Sequence, residues 1–133
     1  MIYLDSSALV KLVRVEAESV ALSSWLTDRS AETPIASALV EVEVRRALRR
    51  SQPEALPAVD AVLARVARVA ISAAVRDRAA VIGAPGLRTL DAIHLATSEF
   101  LVSAGQRITA FVTYDERLGG SASAAGFELA APR

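Results

Sequence analysis

The 133-residue chain has no cysteine, a single histidine, His94, and a single lysine, Lys11. The absence of cysteine excludes disulfide bonds and thiolate metal sites, and it is compatible with a reducing compartment. One histidine cannot supply a metal site made of several imidazoles. Any metal site must therefore be built mainly from oxygen ligands, which select a hard cation such as Mg²⁺ or Mn²⁺ over zinc.

The chain also lacks a long apolar segment, a net charge and a high aromatic content. No segment approaches the ~20 apolar residues that span a bilayer, so the sequence predicts a soluble, cytoplasmic protein with no membrane partner. Lysine plus arginine and aspartate plus glutamate each number 15, which argues against coating nucleic acid by bulk charge. With 5% aromatic residues, base-stacking platforms are not expected to dominate.

What the sequence does contain is an alternation of short apolar strands with helices. Its length suits one domain, residues 1–133, and 53% hydrophobic residues allow a sizeable core. Beyond a first strand and helix at the N-terminus, strands are predicted at 33–36, 69–71, 110–113 and 127–129. Further helices are predicted at 16–29, 38–50, 58–66, 73–82 and 90–104. This order predicts an α/β domain with a mostly parallel sheet of four or five short strands.

Polar residues and glycines predict where several helices begin or weaken. Ser37, Ser72 and Thr89 precede apolar helical patterns and are expected to cap them. Asp115 is expected to open a short turn or helix, which the Gly119–Gly120 pair weakens by roughly 1 kcal/mol per interior glycine.

Four acidic residues have apolar neighbours and lie close to predicted strand ends or helix starts. Asp5 follows the first strand, and Asp115 follows the strand at 110–113. Glu41 and Asp91 lie in the first turns of their predicted helices. In a parallel sheet, the carboxyl ends of the strands and the N-termini of the following helices share one edge. All four carboxylates could therefore meet in one crevice.

The residues alone leave two interpretations of this acidic set open. Taken singly, Asp5, Asp91 and Asp115 are explained most simply as helix caps. Glu41 could pair with Arg45, one helical turn later. Taken together, carboxylates in one crevice would repel and raise one another's pKa values unless a divalent cation joined them. Such a cation lowers the pKa of bound water and stabilises charge on phosphoryl oxygens.

Four sequence segments make the chain resemble the PIN-domain ribonucleases, and most closely the VapC-type toxins of bacterial toxin–antitoxin pairs. The segments are YLDSSALVK at 3–11, SALVEVE at 37–43, LDAIHLAT at 90–97 and VTYDERL at 112–118. They follow the order of that family, and the ordered set is more specific than any one motif. The resemblance implies a PIN-like three-layer α/β/α fold.

The resemblance also implies an activity, a cofactor and partners. The activity is Mg²⁺-dependent endonucleolytic cleavage of RNA, in which metal-activated water hydrolyses the phosphodiester and Mn²⁺ is an alternative ion. The partners are a cognate VapB-like antitoxin and a second copy in a homodimer. The family's acidic cluster falls on Asp5, Glu41, Asp91 and Asp115.

Within that cluster, the resemblance implies different roles. Asp5 and Asp91 are the most direct metal ligands. Glu41 and Asp115 bind through water, hold a second ion or orient the attacking water. Ser6 and Thr113 are implied as hydroxyl groups that support the ligands.

Two rival functions use parts of the same pattern. An aspartate-nucleophile phosphohydrolase would use Asp5, but such enzymes usually have a second carboxylate two residues later, where this chain has Ser7. A non-catalytic partner-binding module would use the carboxylates only as caps. The module would show no stabilisation by Mg²⁺, whereas a metal site would raise the melting temperature by mass action.

Arginine residues at helix ends have a structural and a functional interpretation. Arg46 and Arg49 belong to a basic run at the end of the helix that contains Glu41. Cations there suit the negative helix terminus, and the hypothesis from their position is that they bind RNA. Arg14, at the end of the first helix, has the same two interpretations and could also meet an antitoxin carboxylate.

Two further polar residues are assigned structural positions. His94 lies one helical turn beyond Asp91 and could act as a general base, but packing against the core is the favoured interpretation. Glu43 points roughly 200° around the helix from Glu41. We therefore expect Glu43 to be solvated or at an interface.

Overall fold

The five strands of the protein form one sheet in which every neighbouring pair is parallel. The computed structural model describes residues 1–133. The strands are β1 Ile2–Leu4, β2 Pro34–Ser37, β3 Ala67–Val69, β4 Ala110–Val112 and β5 Leu129–Ala130. They lie in the order β3-β2-β1-β4-β5, and all of the pairings are parallel. The predicted α/β fold with a parallel sheet of short strands is confirmed.

Helices connect the strands, as parallel pairing requires. They are α1 Ser6–Val13, α2 Ser19–Thr27, α3 Val40–Ser51, a 3₁₀ helix Pro53–Ala58, α4 Val59–Leu63, α5 Ala73–Val81, α6 Thr89–Ser103 and α7 Glu116–Ala124. None of these helices has the length and apolar character needed to cross a membrane.

Alternate residues of the central strand β1 face two separate hydrophobic clusters. Ile2 and Leu4 pack with residues of α1, α2, α3 and α4, whereas Tyr3 packs with residues of α6 and α7. Successive side chains of a strand point to opposite faces of its sheet, so the two clusters cover the two faces. The result is the expected three-layer α/β/α arrangement.

Strand β3 begins two residues earlier than its apolar pattern predicts. The apolar triplet at 69–71 gave the prediction, but pairing with β2 determines the strand. Ile35 of β2 aligns with Ala67, and Ser37, its last residue, aligns with Val69. Because β2 ends there, the residues after Val69 have no strand beside them.

Of the three helix caps predicted at serine and threonine, one is confirmed and two are wrong. Ser72 caps α5 through its hydroxyl. Ser37 instead ends β2 and is fully buried, and its hydroxyl accepts a hydrogen bond at 3.3 Å from the backbone N–H of Leu39, which is the N-cap residue of α3. Thr89 is already the first residue of α6, and Arg88 occupies the N-cap position. This shift places the side chain of Arg88 beside the acidic residues described below.

Asp115 opens a regular helix, α7, in spite of the Gly119–Gly120 pair. Oδ1 of Asp115 accepts hydrogen bonds from two backbone N–H groups of the first turn, at 2.9 and 3.0 Å. Leu118, Gly119 and Ala122 form the buried face of the helix. The expected weakening does not shorten α7, because the cap and the buried face stabilise it more than the glycines destabilise it.

Candidate active site

The carboxyl ends of β1 and β4 form the edge at which a ligand is expected. From β1 the chain builds β2 and β3 on one side of the sheet, and β4 and β5 then complete the other side. A crevice opens at such a switch point, beyond the carboxyl ends of the strands. Asp5 directly follows β1, and Asp115 comes three residues after the end of β4. Asp91 reaches the same edge from the first turn of α6.

Asp5 is a buried carboxylate that accepts hydrogen bonds from three residues. Its side chain caps α1 by accepting from the backbone N–H of Ala8 at 2.9 Å. The hydroxyl of Ser7 donates to it at 2.7 Å, and the hydroxyl of Thr113 donates at 2.7 Å. Burial raises the pKa of Asp5 above its usual value, although nearby His94 and these hydrogen bonds act against that increase.

Thr113 links Asp5 to Asp115. Its Oγ1 donates to Asp5 and accepts from the backbone N–H of Asp115 at 3.0 Å. This contact agrees with the predicted position of Thr113. The predicted Ser6, in contrast, makes no side-chain hydrogen bond with Asp5, and Ser7 has that place. Ser7 also accepts from the backbone of Tyr114 at 2.8 Å, which ties α1 to the segment after β4.

Arg88 joins Asp91 to Asp115. Its Nε donates to Oδ2 of Asp91, and its Nη2 donates to Oδ2 of Asp115, both at 2.9 Å. The Asp91 side chain is 11% exposed and that of Asp115 is 29% exposed, so both carboxylates reach the solvent side of the crevice. Two carboxylates from different helices therefore share one cation in this structure.

The structure places Glu41 outside this group. Its carboxylate pairs with Nε of Arg68 at 2.7 Å and is 48% exposed. The predicted pair with Arg45 is also wrong, because that guanidinium binds the backbone carbonyl of Glu41 and the carboxylate of Asp60.

Glu43 is the glutamate of α3 that faces α6, at His94, one helical turn after Asp91. Its Oε2 lies 2.7 Å from Nε2 of His94, which is 1% exposed. On the other side of the ring, Nδ1 lies 3.0 Å from the hydroxyl of Tyr3. The expectation that Glu43 would be solvated or at an interface was wrong, because α6 packs close enough to bind it.

The imidazole of His94 lies between two buried partners, with Nδ1 toward the hydroxyl of Tyr3 and Nε2 toward the carboxylate of Glu43. Burial raises the pKa of Tyr3 far above its usual value, so its hydroxyl keeps its proton. Because both ring nitrogens are engaged inside the protein, the packing interpretation of His94 agrees with the structure.

The sequence of α3 could not have distinguished Glu43 from Glu41. The buried stripe of this helix is Val40, Val44 and Leu48. At 100° per residue, the two glutamates lie on opposite sides of that stripe, Glu41 roughly 60° and Glu43 roughly 100° from its centre. Helical periodicity therefore does not select Glu43, and only the position of α6 does.

The three arginines predicted to bind RNA have different surroundings. Arg14 is engaged with Glu16 and Ser51, so its charge is already partnered. Arg46 and Arg49 are exposed on α3 and form no ion pair within the chain.

The residues of this edge fit a hard divalent cation. No group of three or more histidine, cysteine, aspartate or glutamate side chains is close enough to hold one metal ion in this structure. However, Asp91 and Asp115 already converge on one cation, the guanidinium of Arg88. Mg²⁺ commonly binds through one or two carboxylates and completes its shell with water and substrate phosphate. The donor set is oxygen only, as that ion requires.

Comparisons with known proteins identify the family of the chain. A model of the PIN domain family matches residues 2–120. The chain is 53% identical over 132 residues to Ribonuclease VapC35 of Mycobacterium tuberculosis, covering 99% of this chain and 97% of that protein. It is 40% identical over 131 residues to Ribonuclease VapC46 of the same organism, covering 98% of this chain and 97% of that protein.

A solved structure supports the same fold. The crystal structure of Mycobacterium tuberculosis VapC20, described as a sarcin–ricin loop cleaving toxin, superposes with a TM-score of 0.74 at 21% identity. The match covers 99% of this chain and 100% of that one. PIN-domain ribonucleases of this type are metal-dependent in general. The chain belongs to the PIN-domain family, and within it to the VapC ribonucleases.

Proposed function

We propose that the chain is a Mg²⁺-dependent endoribonuclease, the toxin of a toxin–antitoxin pair, formed by one domain at residues 1–133. The observation that carries this proposal is the convergence of Asp91 and Asp115 on one cation at the sheet edge. The hydroxyl of Thr113 links the carboxylate of Asp5 to the backbone N–H of Asp115. Caps alone do not explain why these side chains from separate segments meet there.

The proposed site assigns a distinct task to each carboxylate. Asp5, Asp91 and Asp115 would hold the ion together with its bound water, and the carboxylate contributed by α3 is Glu43 rather than Glu41, because Glu41 is engaged outside the site by Arg68. A bound Mg²⁺ supplies an activated water and stabilises charge on the phosphoryl oxygens. Mn²⁺ satisfies the same donor set.

Other side chains of the site orient these carboxylates. Ser7 and Thr113 fix both oxygens of Asp5, so the carboxylate cannot rotate away from the crevice. His94 orients Glu43, and Tyr3 in turn orients His94. Such supporting contacts commonly affect metal affinity or activity by roughly 10–100-fold.

The proposed partners are RNA, a VapB-like antitoxin and a second copy of the chain. The first two follow from the VapC relatives. Exposed apolar side chains, among them Val15, Val20 and Val42, are available for protein contacts. Because RNA is the proposed substrate, we place the activity in the cytoplasm.

Arg46 and Arg49 are proposed to contact the RNA backbone, since both are exposed and unpaired on the helix that carries Glu43. Replacing both with alanine should weaken RNA binding. It should also make the plot of log affinity against log salt concentration less steep, by the equivalent of up to about two phosphate contacts. Arg107→Ala is the control, because Arg107 is exposed just before β4, at the opposite edge of the sheet. Equal salt slopes for the double variant and the wild type would remove these arginines from the interface.

The central experiment is incubation of the purified protein with RNA, with Mg²⁺ or with a chelator, followed by mapping of the new ends. Asp5→Ala and Asp91→Ala should each reduce cleavage by more than about 100-fold, beyond the range for supporting residues. Asp5→Asn accompanies them, because alanine also removes the cap of α1, which costs about 1 kcal/mol.

Each alternative outcome is distinct. Full Mg²⁺-dependent activity in both alanine variants would reject the site. A trapped phospho-aspartate at Asp5 would identify the phosphohydrolase instead, although the residue two positions later, Ser7, is not an acid. Circular dichroism and thermal unfolding verify that the inactive variants are folded.

A further inference from the structure

One arginine occupies the oxygens that a metal ion would need. Arg88 donates to Oδ2 of Asp91 and to Oδ2 of Asp115, both at 2.9 Å. The other oxygen of Asp115, Oδ1, already accepts hydrogen bonds from two backbone N–H groups of α7. Oδ2 is therefore the oxygen that Asp115 has free for a cation, and Arg88 holds it.

Arg88 is placed so that it can leave these carboxylates. Its side chain is 59% exposed, and its guanidinium has no hydrogen-bond partner other than Asp91 and Asp115. Exposed ion pairs are weak, because solvent screens them and ordering a long side chain opposes them. A divalent ion at the same two carboxylates has twice the charge and loses no side-chain freedom.

We propose that Arg88 competes with the metal ion for Asp91 and Asp115, and so determines how tightly the site binds Mg²⁺; this inference rests on the proposed function. In the metal-free protein, the guanidinium neutralises the two carboxylates. When the metal binds, the guanidinium leaves, because it and a dication on the same oxygens repel each other. Arg88 acts on metal binding through the carboxylates without being a ligand.

A purely structural role for Arg88 predicts the opposite change in metal affinity when Arg88 is removed. If its only role were to hold Asp91 and Asp115 together, its removal would let the two like charges separate, and metal affinity would fall. Competition requires that metal affinity rise when the guanidinium is removed. The direction of the change therefore distinguishes the two roles.

The test is calorimetric titration of the RNA-free protein with Mg²⁺, in chelator-treated buffer of low ionic strength. For Arg88→Gln, we expect the dissociation constant to fall about three- to tenfold, which corresponds to the loss of the two competing ion pairs that one exposed guanidinium forms. Arg88→Lys should give a smaller decrease, because lysine keeps the charge but lacks the two-pronged donor geometry.

The matched control is Arg78→Gln. Arg78 forms an exposed pair with Glu99, through Nε and Nη2 as in Arg88. Glu99 lies about 12 Å further along α6 than Asp91, from the rise per residue. Its loss should leave the Mg²⁺ dissociation constant unchanged.

The outcomes separate this inference from the proposed function. If the wild type binds Mg²⁺ and Arg88→Gln binds it equally or more weakly, the competition is overturned and the nuclease proposal stands. If the wild type does not bind Mg²⁺, both are overturned. Thermal unfolding without metal verifies the fold of each variant; if Arg88→Gln is unfolded, Arg88→Lys decides, and an unchanged or higher dissociation constant overturns the competition.

Discussion

Two charged regions of this protein differ in the source of their counter-charges. At the junction of α1 and α2, Glu16 and Glu18 meet Lys11 and Arg14, so acids and bases are equal in number. Nζ of Lys11 lies 2.8 Å from Glu16 and 2.7 Å from Glu18, and Arg14 also pairs with Glu16. The charges at this junction therefore neutralise one another within the chain.

The edge beyond β1 and β4 is not balanced in this way. Its partners are the exposed guanidinium of Arg88 and the buried imidazole of His94. The carboxylates that share them are Asp5, Glu43, Asp91 and Asp115. The fold therefore leaves this edge with more negative charge than it neutralises.

The pKa values of one carboxylate in each region reflect the difference. Burial opposes ionisation of both Glu16 and Asp5. At Glu16, the hydrogen bonds and charges of Lys11 and Arg14 outweigh burial and hold its pKa below the usual value. At Asp5, burial prevails and its pKa is raised. The comparison indicates that balanced carboxylates hold the structure together, whereas the unbalanced ones are available to a ligand.

The largest of the three effects expected from this comparison tests whether Glu43 belongs to the unbalanced edge. Glu43→Gln should reduce RNA cleavage by about 10–100-fold, because it removes a charge that His94 orients toward the site. Glu41→Gln is the control, since the same change at a carboxylate paired with Arg68 should alter cleavage less than about twofold. Initial rates at saturating Mg²⁺ measure both, and the reverse ranking would return the role to Glu41.

A smaller effect is the stabilisation of the fold by Mg²⁺, the cation proposed to neutralise the acidic edge. Mg²⁺ at ten times its dissociation constant should stabilise the wild type by about 1.4 kcal/mol, which raises the melting temperature by roughly 5 °C. Asp91→Asn should lose most of this increase, because it removes an oxygen charge that the ion needs. Differential scanning fluorimetry with Mg²⁺ and with chelator measures the shift; an equal rise in both proteins would disconnect Mg²⁺ from this edge.

The smallest effect comes from the balanced region. Glu16→Gln should lower the free energy of unfolding by about 1 kcal/mol at pH 7, since its two ion pairs are near the surface and screened. A lowered pKa in the folded state stabilises fully above the unfolded pKa, about 4.3, and this stabilisation disappears as the pH falls through the folded value. Urea unfolding at pH 7 and pH 3 should show the difference only at pH 7, with RNA cleavage unchanged.

The sequence predicted the order of strands and helices well, because each element has its own local pattern. The apolar segments around β1, β2 and β4 and the regular pattern of α6 lie within a few residues of their predictions. The strand at 69–71 was misplaced because its register depends on where β2 ends. The effect of Gly119 and Gly120 on α7 was overestimated, because the burial of one helix face is a tertiary property.

The site divides in the same way. Asp5, Asp91 and Asp115 could be selected because each follows a strand or opens a helix, which a single sequence displays. Ser7, Glu43 and Arg88 were missed as site residues. Each depends on a partner more than 25 residues away in the sequence. Ser7 contacts Thr113 and Tyr114, Glu43 contacts His94, and Arg88 contacts Asp115.

The amino-acid sequence by itself determined the fold class, the lack of soft metal ligands and the segments that carry carboxylates to one edge of the sheet. Local periodicity, capping chemistry and residue inventory are sufficient for those conclusions. The tertiary structure alone decided which glutamate of α3 faces the site, which hydroxyl groups hold Asp5 and which arginine spans two carboxylates. Those choices depend on how α6 and the segment after β4 pack against the chain, and short-range patterns do not encode distances between remote segments.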